Sequence, residues 1–164
     1  MRLLTHFLVL ATLLNLVAAL GINCRGASSC RGTRVARRLT RVIETIDRGR
    51  WYADGEQIAC VSIETDDGSD SFCAFLQNTG GAWGSRILEL AHYIVGHGCK
   101  GCGSVPYFYP EENDVSRGEL TYNYVSKPCS RDDGLCGVDR PSSAVGAFDM
   151  CMCHPYYLEA ILIN

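Results

Sequence analysis

An α+β fold with a mainly antiparallel sheet is what this sequence predicts. Three observations carry the prediction: two stretches with helical periodicity, several short strand-like runs between and after them, and ten cysteines in a chain of 164 residues. Helix, hairpin, helix and further strands, in that order, lack the regular alternation that builds a parallel α/β sheet. The length suits one domain with room for an appendage. A charged fraction of 20% alongside many aliphatic and aromatic residues excludes a disordered chain.

The first segment stands outside that fold. Met1-Arg2 supplies a positive charge, Leu3 to Leu20 is apolar apart from Thr5, His6, Thr12 and Asn15, and the small residues Ala18 and Ala19 close the run. This is the layout of a secretory signal peptide, residues 1–19. A membrane span needs a longer run and a stop-transfer flank. The expected product is secreted and extracellular, and no later stretch suits stable membrane insertion.

From Ser28 to Arg48 the periodicity predicts the first helix. Val35, Leu39, Val42, Ile43 and Ile46 share one face, Ser28 or Ser29 is placed to cap it, and Gly49 to stop it. Arg31, Arg34, Arg37, Arg38, Arg41 and Arg48 fall on a separate face covering about a third of the helical circle. Residues 25–50 carry eight arginines against Glu44 and Asp47, a balance of +6. Residues 51–164 hold six basic and sixteen acidic residues, a balance of −10, so the net charge of −3 conceals a sharp segregation.

Gln57–Glu64 and Ser71–Gln77 are β-prone runs joined by Thr65-Asp66-Asp67-Gly68-Ser69-Asp70. They predict a hairpin with Cys60 and Cys73 about equally far from its centre, where they can face each other. The second helix is predicted from about Ser85 to Val95, with Ile87, Leu88, Ala91, Ile94 and Val95 as its buried stripe. Glu89, His92 and Tyr93 then point outward, and Trp83 is expected to seat the helix on the core. Glu119–Val125 alternates Leu120, Tyr122 and Tyr124 with Thr121 and Asn123, which predicts a strand. Val105–Tyr109, before the turn at Pro110, is a further candidate strand. The tail after Cys129 is expected to add a strand, cover a sheet edge or form a helical cap ending at Tyr156–Ile163.

The cysteines are Cys24, Cys30, Cys60, Cys73, Cys99, Cys102, Cys129, Cys136, Cys151 and Cys153, all after the leader. In an oxidising compartment they are expected to form disulfides with no free thiol, and spacing alone leaves the pairing open. Cys99-Lys100-Gly101-Cys102 has redox-motif spacing, but Gly96 and Gly98 mark the end of a helix before it. The helix dipole there has the wrong sign to lower a thiol pKa. Cys151-Met152-Cys153-His154 looks metal-like, yet secretion favours oxidation over thiolate ligation, so no metal and no cofactor are expected.

Three ordered blocks carry a family resemblance. They are Gly21-Ile22-Asn23-Cys24-Arg25-Gly26 with Ser29-Cys30, then His97-Gly98-Cys99-Lys100-Gly101-Cys102-Gly103-Ser104, then Asn113-Asp114-Val115-Ser116-Arg117-Gly118-Glu119-Leu120-Thr121 with Asn123-Tyr124-Val125. Together they resemble the killer-protein-4 family of secreted toxins. The resemblance covers Leu20 to Cys129, is thin between Arg31 and Glu56, and is absent from Ser130 to Asn164. It divides the chain into a leader 1–19, a toxin-like domain 20–129 and an extension 130–164.

The resemblance implies an α/β sandwich in which an antiparallel sheet of about five strands is covered by two antiparallel helices and laced by disulfides. It implies the pairs Cys24–Cys99 and Cys30–Cys102. It implies a secreted toxin or effector without enzymatic activity, which inhibits the growth of competing fungi or plant cells by interfering with calcium channels. Basic residues are implied to matter for that block. Near the hairpin, where a lysine is expected before the cysteine, the sequence has Gln57-Ile58-Ala59-Cys60. The arginine face offers another positive surface, with Arg34, Arg38 and Arg41 as candidate target-binding residues. The plainer reading is a solvated helix face.

The expected partner is a membrane or channel target on fungal or plant cells, met by a monomer. Nucleic acid is disfavoured by secretion and by the acidic remainder. A cell-wall or host-protein binding module without toxicity is the alternative. Enzymatic readings are weak: His92, His97 and His154 are the histidines after the leader, no nucleophile-elbow motif occurs, and His92 with Glu89 is the best acid–base pair on offer.

Overall fold

The computed structural model describes residues 21–66 and 68–137. The predicted leader, the C-terminal helical cap, Cys151 and Cys153 lie outside the described residues. Nine elements follow in order: helix α1 (Ala36–Ile43), strands β1 (Trp51–Tyr52), β2 (Gln57–Thr65), β3 (Gly68–Gln77) and β4 (Ala82–Trp83), helix α2 (Gly84–Gly96), and strands β5 (Gly103–Pro106), β6 (Glu119–Val125) and β7 (Gly134–Leu135). Short 3₁₀ turns occupy Ser28–Cys30 and Val115–Arg117. Five strands form one antiparallel sheet in the order β5-β6-β3-β2-β7, while β1 and β4 pair separately. The fold is α+β, with α1 and α2 packed on one face of the sheet. Among the described residues no helix is long and apolar enough to cross a membrane.

The first helix is much shorter than the periodicity predicts. Two covalent ties explain the difference: Cys24 is bonded to Cys99 and Cys30 to Cys102. Gly101 lies so close to this segment that a Cβ there would sit 2.6 Å from the Cys30 carbonyl oxygen. The backbone N–H of Ala36 donates to the Lys100 carbonyl at 2.9 Å. Held against the 99–102 turn in this way, residues 24–34 run as a pinned loop, and helix begins only beyond it. Neither Ser28 nor Ser29 caps α1, because the helix starts after Val35. At the far end the Thr45 hydroxyl donates to the Val42 carbonyl at 2.7 Å and Asp47 accepts from the Gly49 N–H at 2.9 Å, turning the chain toward β1.

β2 and β3 form the predicted hairpin in the register that sets Cys60 opposite Cys73, and the two are bonded. Strand alternation sends Phe72, Ala74 and Leu76 to the helix side with Ala59 and Val61, and Cys60 and Cys73 to the other face. A register shift between Gln57 and Ala59 lets both Ile58 and Ala59 enter the main core. Leu39 and Ile43 of α1 and Ile87, Leu90, Ala91 and Ile94 of α2 complete that core, all fully buried. Leu90 replaces Leu88 and Val95 of the predicted stripe, which are half-buried. The strand expected over Val105–Tyr109 is Gly103–Pro106 instead. Trp83 does not seat α2: it is 53% exposed and packs edge-on against Trp51, also exposed, with ring centroids 5.2 Å apart. As the β4 partner of Trp51 it leans outward on the small β1–β4 pair.

One polar link crosses the core. The hydroxyls of Thr40 on α1 and Tyr122 on β6 lie 3.0 Å apart, both buried. Burial pushes the Tyr122 hydroxyl pKa above its ordinary value, against the opposing pull of the Thr40 hydrogen bond. Tyr122→Phe removes half of a buried pair, so it should cost about 1–2 kcal/mol. Adding Thr40→Val should recover most of that loss, as measured by urea unfolding of both single variants and the double.

The turn after β3 is organised by Asp54, which accepts from the Thr79 hydroxyl at 2.7 Å, the Gly80 N–H at 2.8 Å and the Thr79 N–H at 3.1 Å. Desolvation alone would raise its pKa, but these three bonds outweigh it and hold the carboxyl below its ordinary value. A depressed folded pKa gives stability that is present above the unfolded value and lost as pH falls through the folded one. The stability gap between wild type and Asp54→Asn should therefore be full near neutral pH and close in the acid range below about pH 4, measured as Tm against pH.

Candidate functional site

Because Val35, Ala36, Leu39, Thr40 and Ile43 point into the core, α1 presents Arg37, Arg38 and Arg41 outward, with Arg34 just ahead of its first turn. Arg31 and Arg48, placed on the same face by the long predicted helix, lie off it. The structure divides the three candidate binding residues. Arg38 and Arg41 border a shallow depression of about 390 Å³ with Val42, Thr45, Asp133, Gly134 and Leu135. Arg34 lies elsewhere, at the N-terminal end of α1.

Arg38 is not a free cation. Its Nη2 donates to both carboxylate oxygens of Asp133 at 2.7 and 2.8 Å, its Nε to Oδ2 at 3.1 Å, and Nη2 also to the Ser62 carbonyl at 3.0 Å. It ties α1, β2 and the β7 segment together. The same segment is held by Arg50, whose guanidinium donates to the Cys136 carbonyl at 3.0 Å while pairing with Glu56 and stacking on Tyr52. Gln57 holds it from below: its amide donates to the Lys127 carbonyl at 2.9 Å and its carbonyl accepts from the Cys129 N–H at 2.6 Å. A Cys129–Cys136 bond closes the segment on itself, and β7 pairs with β2. The tail after Cys129 thus does add a strand at the sheet edge, within the described residues.

A larger groove opens where the pinned loop meets the end of α2. It holds about 840 Å³ and is bordered by Arg25, Arg31, Arg34 and Lys100, with Gly26, Gly32, Gly98 and Gly101 among its walls. A second depression of about 470 Å³ adjoins it, sharing Arg34, Gly98 and Lys100 and adding Arg37. Among the described residues no acidic side chain lines either. Sequence reasoning grouped Arg31, Arg34 and Arg37 by helical angle and missed Arg25 and Lys100. The signal that places Lys100 beside them is the Cys30–Cys102 pairing, not periodicity.

Among the described residues, those considered for catalysis do not converge, and His154 lies outside them. Glu89 pairs with Arg86 at 2.7 Å, one turn back on α2, and His92 and His97 are exposed. Cys99 and Cys102 are bonded to different partners, so the C-x-x-C spacing forms no local disulfide. The sulfurs of Cys60, Cys129 and Cys136 lie within 4.8 Å of one another, but each belongs to a disulfide and offers no thiolate to a metal.

The family model Kp4 matches residues 7–126. The chain belongs to the Kp4 family. It is 37% identical over 123 residues to the KP4 killer toxin of the Ustilago maydis P4 virus, covering 73% of this chain and 91% of that toxin. The Kp4 match ends at residue 126, so the clamped 127–137 segment with β7 lies beyond it. Arg38 and Asp133 are both about two-fifths exposed, which limits their coupling to about 0.2–1 kcal/mol. A double-mutant cycle on Arg38→Gln and Asp133→Asn should return a value in that range. Hydrogen exchange should rise at the β7 amides in each single variant.

Proposed function

We propose that this protein is a secreted, non-enzymatic killer toxin of Kp4 type, acting at the surface of competing fungal or plant cells and inhibiting their growth by interfering with calcium channels. The observation that carries the reading is the likeness to a named killer toxin over 91% of that toxin's length. Secretion is supported by the apolar leader and by four disulfides among the described residues. The calcium-channel step comes from the family resemblance, and the lysine associated with it is absent from Gln57-Ile58-Ala59-Cys60. Arg34 and Arg41 are the exposed cations of the candidate set that have no ion-pair partner among the described residues, and they supply the positive surface in its place. Clustered like charge steers a protein toward an anionic membrane or channel mouth.

Purified protein is expected to slow growth of a susceptible fungus or of plant roots, and added calcium to relieve the effect. Arg34→Gln with Arg41→Gln should raise the half-inhibitory concentration by about tenfold, given that steering by two charges alters association by that order. Inhibition without calcium relief removes the channel step and keeps the toxin. Retention on walls or membranes with growth untouched replaces the toxin by a surface-binding module.

A further inference from the structure

The chain pairs its arginines selectively. Arg38, Arg50, Arg86 and Arg117 each meet a carboxylate, from Asp133, Glu56, Glu89 and Glu112. Residues 51–164 are rich in acid, yet among the described residues no ion pair reaches Arg31, Arg34, Arg37 or Lys100. These four cations border two adjoining depressions together with Arg25, and among the described residues no carboxylate lines either one. Like charges gathered on low-dielectric walls repel one another and focus a positive potential into the space between them. Pinning by Cys24–Cys99 and Cys30–Cys102 keeps them from spreading. The protein therefore holds like charges together at an exposed groove, where a polyanion would gain the attraction of several cations at once.

We propose that this groove binds an acidic polysaccharide, an extended sugar chain carrying carboxylate or sulfate groups. The two depressions share Arg34, Gly98 and Lys100, so they form a continuous trough rather than a closed pocket. A trough with Arg31, Arg34, Arg37 and Lys100 along it suits a chain with repeated charges better than one small anion. Arginine and lysine donate several hydrogen bonds each and accept none, which matches carboxylate and sulfate oxygens. Two other polyanions fit less well. Single-stranded nucleic acid is gripped by aromatic side chains on which bases stack, and among the described residues no aromatic side chain lines the trough. A bilayer surface is gripped by cations beside apolar side chains that insert. The exposed pair Trp51 and Trp83 lies at the opposite end of α2, about 20 Å away along a 13-residue helix.

The test uses the full mature protein and needs no cells, so its outcome is independent of whether the protein is toxic. Binding is measured by calorimetry to an oligogalacturonate and to a heparin oligosaccharide of equal length. A neutral dextran, an oligodeoxythymidylate of equal charge and phosphatidylserine vesicles serve as comparisons. The carboxylated and sulfated sugars distinguish which acid the trough prefers. Arg31→Gln/Arg34→Gln/Arg37→Gln should weaken binding of the preferred sugar by about tenfold or more, whereas a control with equal charge loss outside the trough, Arg48→Gln/Lys127→Gln/Arg131→Gln, should weaken it by about twofold or less. Chemical-shift mapping on the unmodified protein should place the sugar at Gly26, Gly32, Gly98 and Gly101, which keeps the proposal testable even where the triple variant folds poorly. Equal losses in both variants, shifts outside these residues, no binding to either sugar, or tighter binding to the oligonucleotide or vesicles would each overturn it.

Discussion

The structure depends most on the pair of disulfides that fasten the N-terminal segment to the end of α2. Cys24–Cys99 and Cys30–Cys102 span separations of 75 and 72 residues, and each is worth about 4 kcal/mol in the chain-entropy model. Between them they also decide local structure. With both cysteines of the first segment bonded into one turn, the intervening backbone cannot coil freely. It packs instead against Gly101 and Gly103, where a Cβ would meet the carbonyl oxygens of Cys30 and Asn23 at 2.6 Å. Asn123 reinforces the same loop from the sheet, its side-chain oxygen accepting from Ala27 N–H at 2.9 Å. The start of α1, the position of Arg31 beside Lys100 and the shape of the trough all follow from these two bonds.

At the opposite sheet edge the chain solves a different problem. An exposed β2 edge would offer unpaired backbone groups to another strand. β7 covers part of it, and the Cys136 N–H donates to the Ile58 carbonyl at 2.8 Å. On the other side Asn23 bridges to Ser104 of β5, exchanging backbone bonds of 3.0 and 2.8 Å. The sheet is thus protected on one edge by the start of the described chain and on the other by the segment that lies beyond the Kp4 match. That second cover is irregular in sequence. Residues 127–133, Lys-Pro-Cys-Ser-Arg-Asp-Asp, carry no strand alternation; side-chain bonds from Arg38 and Gln57 seat them, and Arg50 holds the Cys136 carbonyl just beyond.

How far each part could be read from residues alone follows from which force dominates there. The hairpin was legible because its register is local: alternation and an acidic turn with a glycine fix Cys60 opposite Cys73. Strand β6 was legible for the same reason. The second helix was legible in position, while Leu90 displaced its neighbours because the buried arc is set by contact with the sheet. The first helix was overextended because periodicity has no knowledge of the ties at Cys24 and Cys30. Trp83 was misplaced because a two-residue strand carries no pattern to reveal which way its side chain leans. Of the candidate site, Arg34 and Arg41 were visible as exposed cations. The engagement of Arg38 was not visible, since Asp133 stands 95 residues away in a stretch without periodicity.

Gln57 shows how these features constrain one another. Its carboxamide both donates and accepts, which the 127–129 segment requires: the Lys127 carbonyl needs a donor and the Cys129 N–H needs an acceptor. A lysine in its place has only donors, so it leaves the Cys129 N–H without this partner and sets an ammonium beside the Cys60–Cys73 and Cys129–Cys136 bonds. A cation at this point of the hairpin and a clamped segment after β6 therefore compete for one position. With the segment in place, Arg38 is drawn into holding it. Among the described residues no ion pair reaches Arg34, Arg37 or Arg41 on the outward side of α1, or Arg31 or Lys100 along the trough that the two N-terminal disulfides hold open.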